Sequence, residues 1–229
     1  MRKRLLLGLV ILIPFISKAQ VDEDQLGAWY MYFYTAKFKN SQWGLQGDAQ
    51  YRNWDVGGDL EQLLLRSGVT YTPRNANVLL TFGYANITTG AFGESTSTSV
   101  ENRIYQEAMY PVQLGARIYL NHRFRFEQRF VKGQDFRTRY RYNLFMNVPL
   151  NSTEMTERTV YLALYNEIFL NGQKDIGGGN EVETFDRNRF YAALGYYLTP
   201  RLKTQLGVMR QTTSTIGKNQ LQVSLHHSF

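Results

Sequence analysis

Arginine recurs at every second position in two neighbouring stretches of this chain. Arg123, Arg125 and Arg129 flank Glu127, and Arg137, Arg139 and Arg141 follow. A guanidinium offers a planar fork of donors matched to carboxylate and phosphate, and it stays charged. Six arginines facing one glutamate on a shared spacing is chemistry for attracting or holding anions. The same spacing recurs more briefly in Glu101, Arg103 and Glu107, in Tyr165 and Glu167, and in Arg187 and Arg189. These residues support two readings. The arginines, glutamates and tyrosine hydroxyls can fill an interior and satisfy one another. Alternatively, the positive excess lines a narrow anion-attracting channel or a pocket for a small anionic solute. Glu101, Glu107 and Glu167 offset part of that excess in either case.

Other chemistry is less well supported. The chain has three histidines, His122, His226 and His227. Period two places His226 on the polar face with Ser224 and Ser228, and His122 and His227 on the apolar face. Two residues along a strand span roughly 7 Å, which predicts no direct Ser–His hydrogen bond. No catalytic residue is assigned; a plugged structural or assembly barrel of the envelope is the main alternative to a channel or binding barrel, and a lipid-modifying enzyme the lesser one. Asp22, Glu23 and Asp24 read as a solvated tail. Asp175, Glu181, Glu183 and Asp186 flank a glycine-rich loop, but the ligand spacing of a calcium loop is missing. Gly177, Gly178 and Gly179 are followed by no helix, so a phosphate-binding loop is not indicated. No metal and no cofactor is expected.

Alternation of this kind belongs to β-strands, where successive side chains point to opposite faces. Opposite Arg123–Arg129 lie Leu120, Phe124, Phe126 and Phe130; opposite Arg137–Arg141 lie Tyr140, Tyr142, Leu144 and Met146. In Gln42 to Trp54, Trp43, Leu45, Ala49 and Tyr51 share one face, and Gln46, Asp48, Gln50 and Arg52 the other. Strands are expected at 26–38, 42–54, 60–72, 78–88, 100–112, 119–131, 136–148, 158–170, 185–198 and 202–212, with a closing strand after 213–218. Such lengths exceed the ~5–6 residues of soluble sandwich strands and suit membrane strands of ~9–11. An arginine facing lipid at mid-depth would cost ~2–4 kcal/mol, so the arginine faces must line the lumen. Aromatics near strand ends, Trp29, Tyr30, Trp43, Tyr51, Trp54, Tyr71, Tyr196 and Tyr197, are expected in interface girdles.

Both ends of the chain agree with a membrane barrel. Arg2, Lys3 and Arg4 precede an apolar run from Leu5 to Ile16, and Ser17-Lys18-Ala19 offers a cleavage site before Gln20. Residues 1–19 therefore read as a signal peptide and 20–229 as one domain. The signal carries four cations, which leaves 22 against 19 acidic residues, a net of +3 that does not argue for nucleic acid. There is no cysteine, hence no disulfide. At the other end, Val223, Leu225 and the terminal Phe229 alternate with polar residues, as in the closing strand read by outer-membrane insertion machinery.

The chain resembles a family of uncharacterised outer-membrane β-barrels catalogued as a domain of unknown function. The resemblance rests on Glu101-Asn102-Arg103 with Gln106, on Arg123 to Arg129, on Arg137-x-Arg139-x-Arg141, and on Tyr165-Asn166-Glu167. It continues through Asn188-Arg189-x-Tyr191-x-x-x-Gly195-Tyr196 to Phe229. It implies a fold and a location, and no reaction, ligand or catalytic residue.

The resulting expectation is an all-β, antiparallel transmembrane β-barrel of 10–12 strands with a cleaved N-terminal signal peptide. Eleven segments are visible, whereas bacterial barrels of this kind have an even number. The expected partners are outer-membrane lipid, the insertion machinery and a small anionic solute.

Overall fold

A computed structural model describes residues 25–93 and 95–229. The predicted signal segment and Asp22, Glu23 and Asp24 lie outside the described residues. Eleven strands follow in order: β1 (Gly27–Lys37), β2 (Trp43–Asn53), β3 (Leu60–Tyr71), β4 (Leu79–Gly90), β5 (Thr98–Leu114) and β6 (Ile118–Val131), then β7 (Arg137–Pro149), β8 (Val160–Asn171), β9 (Phe185–Thr199), β10 (Leu202–Thr212) and β11 (Gly217–Ser228). No helix occurs among the described residues.

Each strand pairs antiparallel with its sequence neighbour, and the sheet closes on itself through β1 and β11. Closure leaves no strand edge unpaired. Eleven strands fall within the expected 10–12, whereas the expectation of a wholly antiparallel barrel is corrected here. With eleven strands, the first and last run in the same direction. β1 and β11 therefore pair in parallel, from Gly27↔Gln220 to Thr35↔Ser228. β1 is a full member of the wall, since it also pairs with β2 from Ala28↔Asn53 to Lys37↔Gly44.

The alternation sets the two faces. Outward-pointing Phe82, Phe124, Phe190, Leu194, Leu206 and Val208 are all exposed, while inward-pointing Glu127, Arg139, Gln220 and Gln222 are buried. This inverts the usual order of a soluble domain, in which charged side chains are almost never fully buried unless paired. Two inner glycines shape the wall. Gly83 faces Tyr105 across the β4–β5 pair, and Gly195 faces Tyr161 across β8–β9. A Cβ on either glycine would run into the facing tyrosine ring. Each ring therefore lies flat against bare backbone, a close approach that only glycine permits.

The connections 38–42, 72–78, 115–117, 150–159 and 200–201 lie at the rim that carries Phe229, here called the terminal rim. The connections 54–59, 132–136, 172–184 and 213–216, with residues 91–93 and 95–97, lie at the opposite rim. Within the 54–59 loop, Asp55 Oδ1 accepts from the amides of Gly57 (3.0 Å), Gly58 (2.7 Å) and Asp59 (3.1 Å).

Candidate functional site

All of the alternating charged residues point into the barrel. Glu101 and Arg103 of β5, Arg125, Glu127 and Arg129 of β6, Arg137, Arg139 and Arg141 of β7, Glu167 of β8 and Arg189 of β9 are buried. Arg123 lies inside as well, and Arg187 sits nearer the opposite rim. Cross-strand register places their side chains in layers: Arg103↔Arg129, Tyr105↔Glu127 and Glu107↔Arg125 across β5–β6, and Glu127↔Arg139 across β6–β7.

Glu127 is the hub. Its carboxylate pairs with Arg139 at 2.7 Å and Arg141 at 2.6 Å, and lies 3.4 Å from Arg103 and 3.8 Å from Arg125. Glu101 bridges Arg103 and Arg129. Glu107 takes Arg125 and lies 3.7 Å from Arg123, while Glu167 takes Arg123 at 2.7 Å and Arg141 at 2.6 Å. The local excess of six arginines over one glutamate is thus offset by carboxylates from flanking strands. Glu101, Glu127, Asp186 and their arginines fill the lumen toward the opposite rim. The Phe169 ring sits among four guanidiniums, those of Arg141 (4.4 Å), Arg189 (4.8 Å), Arg139 (5.3 Å) and Arg187 (5.9 Å).

Two acidic members depart from the period. Between β2 and β3 the register moves from Arg52↔Gln62 to Asn53↔Leu60, so Glu61 is the extra residue of a bulge. Between β8 and β9 it moves from Phe169↔Arg187 to Leu170↔Phe185, so Asp186 is another. A bulge re-aims a side chain. Glu61 turns inward to accept from Trp29 Nε1 (3.1 Å) and Gln220 Nε2 (3.3 Å). Asp186 turns inward to Arg139 (3.0 Å) and Arg187 (3.0 Å). Asp186 therefore belongs to the interior network and not to an acidic loop cluster. A further inward pair, Asp48 with Arg66 at 2.9 Å, joins β2 to β3.

Toward the terminal rim the lumen opens into a cavity of about 310 Å³. It reaches from Trp29, Arg52 and Arg189 down to Asn147, Lys203 and His226. Seven cationic side chains line it, Arg52, Arg66, Arg123, Arg125, Arg141, Arg189 and Lys203, against three carboxylates, Asp48, Glu107 and Glu167. Tyr165 and Tyr191 form another wall, stacked at 4.7 Å; behind them, outside the lining, Tyr161 meets Tyr197 at 5.6 Å. Met155, from the connection between β7 and β8, packs against the cluster of Trp29, Tyr161, Tyr191 and Met209.

Several expectations change here. Trp29 and Tyr197 belong to the interior rather than to a girdle: Trp29 is 2 % exposed, with Arg52 3.7 Å over its ring, and Tyr197 packs on Tyr161. β1 is apolar on both faces, so alternation could not tell which way Trp29 points. Ser224 and His226 do meet, with Ser224 Oγ 2.9 Å from Nε2. The two backbones are a strand repeat apart, but the imidazole leans along the strand and its length closes the gap. His226 also stacks on Phe33 at 4.7 Å. No carboxylate is hydrogen-bonded to its ring among the described residues. Of the closing-strand residues, Val223 and Leu225 point outward, and Phe229 is exposed with its amide bonded to Thr35 O at 2.9 Å.

An eleven-strand closed barrel with an ion-paired interior is the class that fold and site define. The family model described as Protein of unknown function (DUF2490) matches residues 26–222. The chain belongs to that family. No curated protein matches the sequence.

Proposed function

We propose that this protein is an integral outer-membrane barrel, plugged toward one rim by its ion pairs, which binds a small anionic solute in the cavity at the other. Residues 1–19 are its export signal in this reading, and 20–229 the inserted domain. The membrane setting is supported by the exposed aromatic and aliphatic exterior and by strands of 11 to 17 residues, enough to cross a hydrocarbon core at a tilt. Phe229, Leu225 and Val223 would be read by the insertion machinery. The terminal rim would face the periplasm, because barrels of this kind keep their short turns there.

The observation that carries the binding function is the cationic surplus in the cavity lining, seven against three. Guanidiniums gathered in a cavity enclosed by protein attract oxyanions more strongly than they would in bulk water. Titration of inorganic phosphate, sulfate and succinate into the refolded protein in detergent micelles should give saturable heat for at least one of them, weakened by added chloride. Absence of heat from all three overturns the binding function. The buried Glu127 hub favours a second reading, in which the ion pairs only stiffen the barrel. That reading predicts no ligand and a fold that loosens when the pairs are broken.

A further inference from the structure

We propose that the deep end of the cavity is an oxyanion subsite built from Arg189 and Arg52 around Trp29, and that its ligand is a ring-bearing phosphate or carboxylate whose flat ring lies against Tyr165 and Tyr191. The inference rests on the solute-binding reading above and specifies where and what the cavity binds.

Most inward arginines are committed to a carboxylate. Among the described residues Arg52, Arg189 and Arg137 are not, and of these only Arg52 and Arg189 line the cavity. Arg189 is 7 % exposed and Arg52 is 5 % exposed, and neither forms an ion pair among the described residues. Arg52 donates to Gln50 Oε1 (2.6 and 3.1 Å) and Gln62 Oε1 (2.7 Å), both neutral. Arg189 donates only through Nε, to Gln211 Oε1 at 2.8 Å. Its two terminal nitrogens, the fork that would grip an oxyanion, meet no acceptor among the described residues. The nearest cross-strand carboxylate is Glu167, paired with Arg189 in register. Glu167 instead turns to Arg123 and Arg141. A buried cation with no carboxylate in ion-pair contact is costly; Glu61 and Asp48 act on Arg52, and Glu167 on Arg189, only from beyond that distance, and both guanidiniums line the cavity.

The surroundings hold both guanidiniums in place. Arg52 lies 3.7 Å and Arg189 4.8 Å from the Trp29 ring centroid, and Arg189 is also 4.8 Å from that of Phe169. Stacking on an aromatic face leaves the terminal N–H edge of Arg189 free for an anion, while Arg52, whose edge already donates to the two glutamines, adds positive charge beside it. Trp29 is itself pinned through Nε1 to Glu61. Beside this corner Tyr165 and Tyr191 line the same cavity, stacked on each other at an interplanar angle of 25°. A ligand whose oxyanion is held by Arg189 would lay its remaining atoms along this wall, where an aromatic or sugar ring gains contact that a bare ion does not.

The test uses phenyl phosphate, inorganic phosphate and phenol with the full refolded chain carrying Trp43→Phe and Trp54→Phe, so that emission reports Trp29. Phenyl phosphate should shift Trp29 emission saturably and bind more tightly than inorganic phosphate, and phenol should do neither. Arg189→Gln should weaken phenyl phosphate by about tenfold or more, as loss of a charged donor implies. Arg137→Gln, near the opposite rim and outside the cavity lining, should leave affinity unchanged. Binding recorded by calorimetry with Trp29 emission unmoved, or unaffected by Arg189→Gln, would overturn the subsite while leaving the broader solute-binding reading intact. No binding by phenyl phosphate would overturn the subsite, and no binding by phosphate, sulfate or succinate either would overturn both. If Arg189→Gln does not refold, the Trp29 response of the parent and the ranking of the three probes still decide the matter.

Discussion

At the scale of single residues, the interior is governed by which guanidiniums have a carboxylate. Glu127 serves four arginines from β5, β6 and β7 and is 1 % exposed. Removing its charge with Glu127→Gln leaves those cations facing one another, and breaking a buried pair in this way costs ~3–5 kcal/mol. Urea unfolding of the refolded barrel should show a loss of that size, whereas Glu157→Gln, on the 150–159 connection, should be near neutral. Asp55 gives a pH-dependent counterpart at the rim. The amides of Gly58, Asp59 and Gly57 hold its carboxyl below the ordinary aspartate value. A carboxyl depressed in the folded state contributes stability above its unfolded value and loses that contribution as pH falls through the lower folded value. Asp55→Asn should therefore destabilise the 54–59 loop at neutral pH and make little difference in strong acid. Amide exchange of Gly57 to Asp59 at the two pH values would check this, and equal effects at both would contradict it.

At the scale of elements, the strands are uniform but the bulges and the bare glycines are not. Gly83→Ala would push a methyl into the Tyr105 ring. Overpacking of this kind costs ~1–3 kcal/mol, and the double variant Gly83→Ala/Tyr105→Leu should recover much of it in denaturant unfolding. Glu61→Ala removes the acceptor of both Trp29 Nε1 and Gln220 Nε2. Leaving buried donors unsatisfied costs ~1–3 kcal/mol, and the variant should also free Trp29 to move, visible as a red shift of its emission. These elements also show what could be read without a structure. Period two located all eleven strands and the inward direction of every residue from Glu101 to Arg141 in the ladder, because a charged face and an apolar face differ at every step. It failed where that contrast is absent or interrupted. β1 carries aromatics on both faces, which hid Trp29. Single-residue bulges invert parity, which hid Glu61 and Asp186. Arg52 was placed on the polar face from sequence, but its lack of a carboxylate depends on the partners that neighbouring strands supply, and register is not written locally. The parallel closure follows from the odd strand count, which was visible, against the even-number rule for such barrels.

At the scale of the whole molecule, the proposal joins an apolar exterior, a lumen filled by ion pairs toward one rim and a cationic cavity toward the other. A filled lumen and an open channel make opposite predictions for current. The proposed plug draws its ion pairs from four strands, β5, β6, β7 and β9, so no single rotamer change would open it. The most direct measurement is conductance of the refolded protein in a planar bilayer under a salt gradient, with folding verified on the same preparation by heat-modifiable gel migration. The account predicts a folded barrel that carries no steady current. Sustained anion-selective steps from the folded wild-type protein would contradict it, because they would require a continuous path through the Glu127 network.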